Sequence, residues 1–232
     1  MTSASMNTNL PSGRRRSRFD RRLPNAAHES HPWQIHDIVP DFTLEDVWSL
    51  PADGGAEDFA TLVEIMTSGD NLMDKASLPA RVLWQARDRL GAWFGLDRIS
   101  APFEGDGVDA LPVPGTDETS LYDRLPDDLR GTAADLHFDS VPFAPLYRTD
   151  DEFAAELSNR TVHAVMHLAW VAQGADRFQG EMAVYVKPRG ALGQAYMALI
   201  KPFRYLIVYP ALIQQLERSW NERASRRAPL TP

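Results

Sequence analysis

Apolar and polar residues alternate most clearly in two neighbouring stretches of the C-terminal half of the chain. These stretches are RTVHAVMHLAWVA (160–172) and FQGEMAVYVK (178–187), and a turn containing Gly174 separates them. A period of two places successive side chains on opposite faces of a strand. The pattern therefore predicts an antiparallel hairpin.

The segments around the hairpin predict helices and shorter strands. Phe59, Leu62, Val63 and Met66 recur at helical spacing, and a second amphipathic helix is expected over 77–95. From 191 to 223 the chain favours a helix, with kinks at its two prolines. Extended segments are expected at 33–51, 119–125 and 143–149, whereas 151–159 fits either a helical turn or a strand.

The hairpin pattern also predicts which face of the sheet is buried. On the first strand one face is wholly apolar, with Met166 and Trp170 as its largest residues, and we expect this face to pack against a helix. The opposite face carries His163, His167 and Tyr185, and we expect it to face outward or into a second interface. Four strand residues span ~13 Å, so we do not expect the two histidines to share a metal ion.

The C-terminal helix is apolar on nearly all sides, which means that it is buried on more than one side or lines a cavity. We predict that a small hydrophobic ligand binds between this helix and the sheet. The ligand-binding residues of this prediction are Met166, Trp170, Val184, Tyr196, Leu199 and Phe203.

The amino-acid composition excludes several classes of protein and several kinds of functional site. The chain has no cysteine, which excludes disulfides, thiolate nucleophiles, iron–sulfur clusters and sulfur-based zinc sites. No apolar stretch follows the first arginines, so we expect no signal peptide. Lys201, Arg204 and two prolines interrupt the apolar run 195–213, so we expect no membrane span. The expected location is the cytoplasm.

Charge divides the chain unevenly. Residues 1–30 contain six arginines and two acidic residues, whereas the whole chain carries a net charge of −8. Because the remainder is acidic, we do not expect nucleic acid as a partner. We expect 1–30 to be a disordered basic leader, 31–222 to form a single domain and 223–232 to be a flexible tail. The oligomeric state stays open.

Motifs that carry chemistry are missing from this sequence. It contains no G-x-G-x-x-G, P-loop or G-x-S-x-G motif. The acidic runs 127–128 and 150–152 are interpreted as solvated turns or helix caps. We therefore expect no cofactor and no metal, and we identify no catalytic residue, which leaves open whether the protein is an enzyme.

Several segments of the sequence resemble an uncharacterised bacterial family, domain of unknown function 2867. The segments concerned are SLYDRLPDDLRG (120–131), PFAPLYRTDDEFAAELSNRTVHAVMHLAWV (142–171) and YVKPRGALGQAYMALIKPFRYLIVYPAL (185–212). The leading HPWQIHDIVPDFTLEDVWSLP (31–51) resembles its opening strand. The resemblance implies an α+β helix-grip (START-like) fold, a curved antiparallel sheet around a long C-terminal helix. Such folds often hold an apolar ligand between these two elements.

The resemblance leaves two alternatives to ligand binding. One is an enzyme of the polyketide-cyclase or dehydratase kind, for which Tyr196 and Arg204 are the only polar candidates in the expected pocket. The other is a domain with a filled core that acts through partners. Some relatives follow a nucleotide-binding Rossmann domain, but this sequence has no dinucleotide-binding motif, so their redox activity is not carried over.

Overall fold

The computed structural model describes residues 21–68, 120–138, 141–158 and 161–227. Within these ranges the chain forms one six-stranded sheet in which every neighbouring pair is antiparallel. The strands lie in the order β1-β2-β6-β5-β4-β3. Their bounds are β1 Arg22–Leu23, β2 Thr43–Gly54, β3 Ala144–Arg148, β4 Glu152–Ser158, β5 Val162–Gly174 and β6 Arg177–Pro188.

The predicted hairpin is confirmed as β5 and β6, and its turn has a clear local cause. Ala175 and Asp176 connect the strands with φ of 48° and 57°, and Gly174 before them has φ of 86°. Positive φ at both central residues is the turn geometry whose twist matches that of the flanking strands. The hairpin therefore closes in a register that pairs Trp170 with Gly180.

Helices cover the sheet on both faces. Two short helices precede β2, one follows it, and a long helical region follows β6. A 3₁₀ turn, Ala56–Asp58, leads into the third helix. The bounds are α1 Asn25–Glu29, α2 Ile35–Ile38, α3 Phe59–Thr67, α4 Gly190–Phe203 and α5 Tyr209–Arg227.

The first face of the sheet packs against α3 and α5, as the alternation in β5 predicts. Met166 and Trp170 are buried there in one apolar cluster with Leu62 of α3 and Ile213 and Leu216 of α5. A smaller cluster of Val162, Val186 and Met197 joins the start of α4 to the same face. This is the arrangement of a sheet and a long C-terminal helix that the helix-grip prediction requires.

The second face is covered as well, which decides between the two interpretations of the histidine face. The segment that carries α1 and α2 and the loop 120–138 bury it in a second cluster, whose members include Trp33, Leu121, Tyr147 and Tyr185. The central strands are therefore buried on both sides. The outward-facing alternative was wrong, and the second interface is the one that the structure contains.

Several boundaries differ from those that the sequence predicts. We expected the domain to begin at residue 31, but Arg22–Leu23 pairs with β2 and His28 of α1 is buried. We expected one extended segment over 33–51, where the chain forms α2 before β2 begins at Thr43. At the other end, α5 continues to Arg227, four residues beyond the predicted end of the helix at 223. Local apolar content could not reveal these elements because tertiary contacts hold them.

Two further segments show the limits of short patterns. A strand was expected over 119–125, but Leu121–Arg124 is a 3₁₀ turn with the Ser120 side chain accepting a hydrogen bond from the backbone N–H of Tyr122. The undecided segment 151–159 is strand β4. The helix predicted over 77–95 lies outside the described residues.

The C-terminal helical region is continuous but changes its winding between the two prolines. Pro202 lies inside α4, and Arg204–Val208 forms a π-helical turn that ends before Pro210. A proline removes one backbone donor, and π turns absorb such irregularities in a helix. The two prolines therefore alter one helix without dividing it.

Asp46 of β2 fastens this π turn to the sheet. Its carboxylate is fully buried and accepts hydrogen bonds from the Arg204 guanidinium (3.0 Å) and from the Tyr205 and Tyr209 hydroxyls (3.0 Å each). Trp48 Nε1 donates a fourth at 3.1 Å. A buried carboxylate with a cation and three further donors is fully satisfied, so the contact fixes where the helix crosses the sheet.

Asp46→Asn should destabilise the protein by about 3 kcal/mol, because it leaves the Arg204 guanidinium largely buried without a counter-charge. Urea unfolding followed by tryptophan fluorescence measures the change. The matched control is Asp41→Asn, whose side chain is 40% exposed in ion pairs with Arg124 and Lys187. The control should cost no more than about 1 kcal/mol. Equal effects would contradict the role of Asp46.

Candidate functional site

The structure divides the six predicted ligand-binding residues into three groups. Met166 and Trp170 are buried in the first core cluster. Val184 and Tyr196 are half-buried beside the small cluster at the start of α4. Leu199 and Phe203 are exposed. The six therefore lie on the sheet and on α4 with different degrees of burial, and their role in binding stays a prediction.

The exposed apolar side chains are concentrated on one part of the molecule. Within the described ranges, all four large hydrophobic residues that are exposed lie between residues 199 and 208. Their exposed fractions are 57% for Leu199, 44% for Phe203, 67% for Leu206 and 42% for Val208. The first three are spaced by four and three residues, which places them on one side of a helix. We call Leu199, Phe203 and Leu206 the apolar helix face.

The helix that carries this face is long and apolar enough to cross a membrane by length and composition. It runs from Gly193 to Arg223, and only 17% of its most apolar 18-residue window is buried. One such helix is weak support for a membrane span. Its later part also packs in the core through Tyr209, Ile213 and Leu216, so α5 belongs to the folded domain.

On the opposite side of the sheet, two buried carboxylates of β4 are paired with two histidines of β5. Glu152 Oε2 lies 3.0 Å from His167 Nε2, and Glu156 Oε2 lies 2.8 Å from His163 Nε2. Each glutamate is diagonal to its histidine, since His167 is directly opposite Ala154. The interpretation of run 150–152 as solvated turns or caps was wrong for Glu152, which is a buried strand residue.

Each carboxylate also binds one of the two segments that cover this face of the sheet, which we call the cover. Glu152 accepts hydrogen bonds from the backbone N–H of Gln34 (3.0 Å) and from the Tyr147 hydroxyl (2.8 Å). Glu156 accepts hydrogen bonds from the Ser120 hydroxyl and from the backbone N–H of Leu121 (3.1 Å for the latter). The two pairs thus attach the N-terminal segment and the loop 120–138 to the same face.

Around His167 lies a group of aromatic and histidine side chains with unpaired polar atoms. Ring centroids separate His28 from His167 by 5.2 Å, from His36 by 5.8 Å and from Tyr185 by 6.0 Å. Trp33 lies 5.7 Å from His167. We call these five residues the histidine cluster. Within the part of the chain that the structure describes, every buried side-chain nitrogen or oxygen without a hydrogen-bond partner belongs to it.

A profile of one protein family matches residues 38–211, well over half of the chain, and its description is "Protein of unknown function (DUF2867)". The chain belongs to this family. The match spans both glutamate–histidine pairs, Asp46 and the apolar helix face of the DUF2867 domain. It begins at residue 38, after His28, Trp33 and His36 of the histidine cluster. No curated protein and no solved structure matches the chain.

The electrostatics of the DUF2867 domain keep two of its buried histidines, His28 and His167, neutral. Burial lowers the pKa of His28 to about 3, and the neighbouring His167, His36 and His31 add to the effect. Burial also lowers the pKa of His167, more than its contact with Glu152 raises it. For Glu152 burial acts in the opposite direction, but hydrogen bonds from His167, Gln34 and Tyr147 outweigh it and lower the pKa. The pair is a carboxylate and a neutral imidazole.

This protonation state determines what His167 can do. A carboxylate only accepts hydrogen bonds, so His167 Nε2 carries the proton and donates it to Glu152. Nδ1 then has a free lone pair and no partner. A carboxylate behind one nitrogen of an imidazole makes the other nitrogen more basic, which suits a proton acceptor or a metal ligand. The described residues contain no group of three donors able to hold a metal ion.

A surface cleft of about 510 Å³ also lies on the covered side of the sheet. It is lined by residues of two segments, namely Gln34, Asp37, Ile38, Asp123, Arg124, Leu125, Pro126 and Arg130. Ile38 and Leu125 belong to the second core cluster, so the cleft is across the sheet from the predicted apolar site. Its acidic and basic residues balance in number, and it offers no apolar enclosure for the predicted ligand.

Because His28 and His167 of the histidine cluster are buried in their neutral form, we expect the free energy of unfolding to fall as the pH is lowered. His28 is neutral in the folded state down to about pH 3 but takes up a proton near pH 6.5 when unfolded. Stability is therefore complete above pH 6.5 and is lost between there and pH 3. The loss is roughly 1.4 kcal/mol per pH unit for each such histidine. Urea unfolding between these values measures the slope.

His28→Phe should reduce that slope by one proton and leave stability near pH 7.5 unchanged or higher, because the new ring fills the space without unpaired nitrogens. The matched control, Ala26→Ser, changes an exposed residue of the same helix without adding or removing an ionisable group and should leave the slope as it is. A slope that His28→Phe does not alter would contradict our description of His28.

Proposed function

We propose that this domain binds an apolar molecule against the first half of its C-terminal helical region. One observation carries the proposal: all of the large exposed hydrophobic side chains of the described residues lie between residues 199 and 208, and three of them form the apolar helix face. Scattered exposed apolar residues are ordinary, whereas a contiguous exposed patch usually marks a binding surface. The function is therefore assigned to this face of the molecule.

The way in which the helix is held supports the proposal. Asp46 anchors the π turn, and Tyr209, Ile213 and Leu216 bury the helix beyond it. Before the π turn, by contrast, α4 contacts the sheet mainly through Met197 and the half-buried Tyr196 and Ile200. Leu199 and Phe203 are thus presented by a helix that packs on the sheet through Met197 and is anchored from the π turn onward, so the surface is organised before a ligand arrives.

The sheet beside α4 can contribute to the same surface. Val184 of β6 contacts both the first core cluster and the small cluster around Met197, and it is only half-buried. It is one of the six residues that the sequence predicts for the site. Val184, Tyr196, Leu199 and Phe203 therefore form the surface that we assign to the ligand, with Met166 and Trp170 supporting it from the core.

An acid–base enzyme is a second candidate, and the Glu152–His167 pair favours it. The pair supplies a basic nitrogen held by a buried carboxylate. His167 is fully buried, however, and lies across the sheet from α4. A ligand on the apolar helix face could not reach it. His167→Gln separates the candidates, because it should abolish an acid–base activity and leave binding at the helix unchanged.

The test of the first proposal is the affinity for 8-anilinonaphthalene-1-sulfonate, a fluorescent apolar probe, together with native mass spectrometry of the purified protein. Leu199→Ser and Phe203→Ser should each weaken probe binding by about tenfold, because each removes an apolar contact of roughly 1.5 kcal/mol. Both residues are exposed, so the unfolding midpoint should stay the same.

Ala198→Ser is the matched control, since it makes an exposed residue of the same helix polar without removing a large side chain. It should bind the probe like the wild type. If the two variants on the apolar helix face also bind like the wild type, the ligand is not bound there and the proposal is wrong.

A further inference from the structure

We infer that the apolar helix face docks on an anionic membrane surface. The inference deepens the proposed function, on which it rests, by naming lipid as the apolar partner. It requires two features side by side: apolar side chains that enter the boundary of the acyl chains, and cationic groups that meet the lipid phosphates. A single weak signal gives marginal binding, whereas two signals together give stable attachment.

The first feature is a helix with an exposed apolar side and a polar one. Leu199, Phe203 and Leu206 share the apolar side, and all three are at least 44% exposed. Lys201 lies outside this spacing and is itself exposed, within 3.5 Å of Glu45. A helix of this kind lies in the plane of a membrane interface rather than across it. The anchored α5 and the Asp46 contact also argue against the helix leaving the domain to span the bilayer.

The second feature is the place at which the arginine-rich segment joins the fold. The Arg22 guanidinium lies 5.2 Å from the centre of the Tyr205 ring, in the π turn between Phe203 and Leu206. Arg22 is exposed and lies in β1, which pairs with β2. The sequence places Arg14, Arg15, Arg16 and Arg18 within eight residues before it. Arg22, the last residue of this arginine-rich segment, therefore lies beside the apolar helix face.

Charge makes an anionic membrane the partner that fits. The whole chain carries −8, so most of its surface is repelled by anionic lipids. Against this, six arginines lie within nine residues of the sequence (14–22), and the last of them is beside the apolar helix face. Each basic residue near an anionic surface strengthens binding by about fivefold, and the effect decays over about 8 Å in physiological salt. This asymmetry also fixes the orientation, with the apolar helix face towards the lipid.

The experiment is co-sedimentation of the full chain with vesicles of pure phosphatidylglycerol, compared with vesicles of pure phosphatidylcholine. The wild type should bind phosphatidylglycerol and bind phosphatidylcholine at least about tenfold more weakly, and rising salt should release it. Leu199→Ser combined with Phe203→Ser should lose binding to both. Replacing Arg14, Arg15, Arg16 and Arg18 with Gln should lose the preference for phosphatidylglycerol and keep the fold.

Two controls match these variants. Ala198→Ser keeps the large apolar residues, and Arg218→Gln removes an exposed arginine of α5 that is not part of the arginine-rich segment. Both should bind like the wild type. If the Leu199→Ser/Phe203→Ser variant or the variant with four arginines replaced sediments with phosphatidylglycerol as well as the wild type does, the inference is wrong.

The outcome also separates the inference from the proposed function. If the wild type binds the fluorescent probe but no vesicle, the lipid surface is wrong and the proposed apolar ligand stands. If it binds neither, both are wrong. A dimer in solution that Leu199→Ser with Phe203→Ser dissociates shows that a second copy covers the face. A photo-crosslinker at position 199 that captures residues 69–119 shows that the chain itself covers it. Either result overturns the inference.

Discussion

Burial of the sheet on both faces is the constraint on which the rest of this structure depends. Glu152 and Glu156 of β4 and the histidines of β5 are buried there, and an unpaired buried charge costs several kcal/mol. Glu152 and Glu156 therefore need donors, and they obtain them from His167 and His163 and from the segments above them. The hydrogen bonds that satisfy the carboxylates are the same ones that position the cover.

The two faces of the sheet use buried charge in different ways. On the covered side, two carboxylates hold short segments with little regular structure, namely the backbone at Gln34 and at Leu121. On the helix side, Asp46 holds one long helix at its π turn. Because the helix is fixed at that point and beyond it, the turns before it can present apolar side chains without being buried themselves. The apolar helix face is a consequence of that attachment.

The histidine cluster contains a nitrogen that could accept a proton, but surrounding side chains enclose that nitrogen. His167 has the lone pair and the carboxylate that a proton acceptor needs. Its neighbours are in ring contact at 5.2 to 5.7 Å, so the basic nitrogen is enclosed by side chains. The six unpaired atoms of the cluster cost stability, which makes the N-terminal cover the least satisfied part of the described core. Function on this side would require the cover to move.

The sequence by itself determined what depends on local pattern. Alternation in β5 and β6 predicted the hairpin and its buried Met166–Trp170 face, and spacing predicted α3 from Phe59 to Met66. The residue sequences of segments 142–171 and 185–212 indicated the family, which the match over 38–211 confirms. The pairing of Arg22–Leu23 with β2, the 3₁₀ turn at 121 and the short α2 were not predictable, because contacts with distant residues hold them.

Only the tertiary structure decided the partners of the polar residues. In the sequence, His163 and His167 were four residues apart with no acidic neighbour, and Glu152 looked like part of a solvated turn. Strand register brought Glu152 to His167 and Glu156 to His163, because a diagonal pair on adjacent strands depends on pairing rather than on sequence distance. In the same way, composition showed that the last helix was apolar. Which of its sides stayed exposed depended on tertiary contacts, among them the one with the buried Asp46 carboxylate on β2, which spans more than 150 residues of chain.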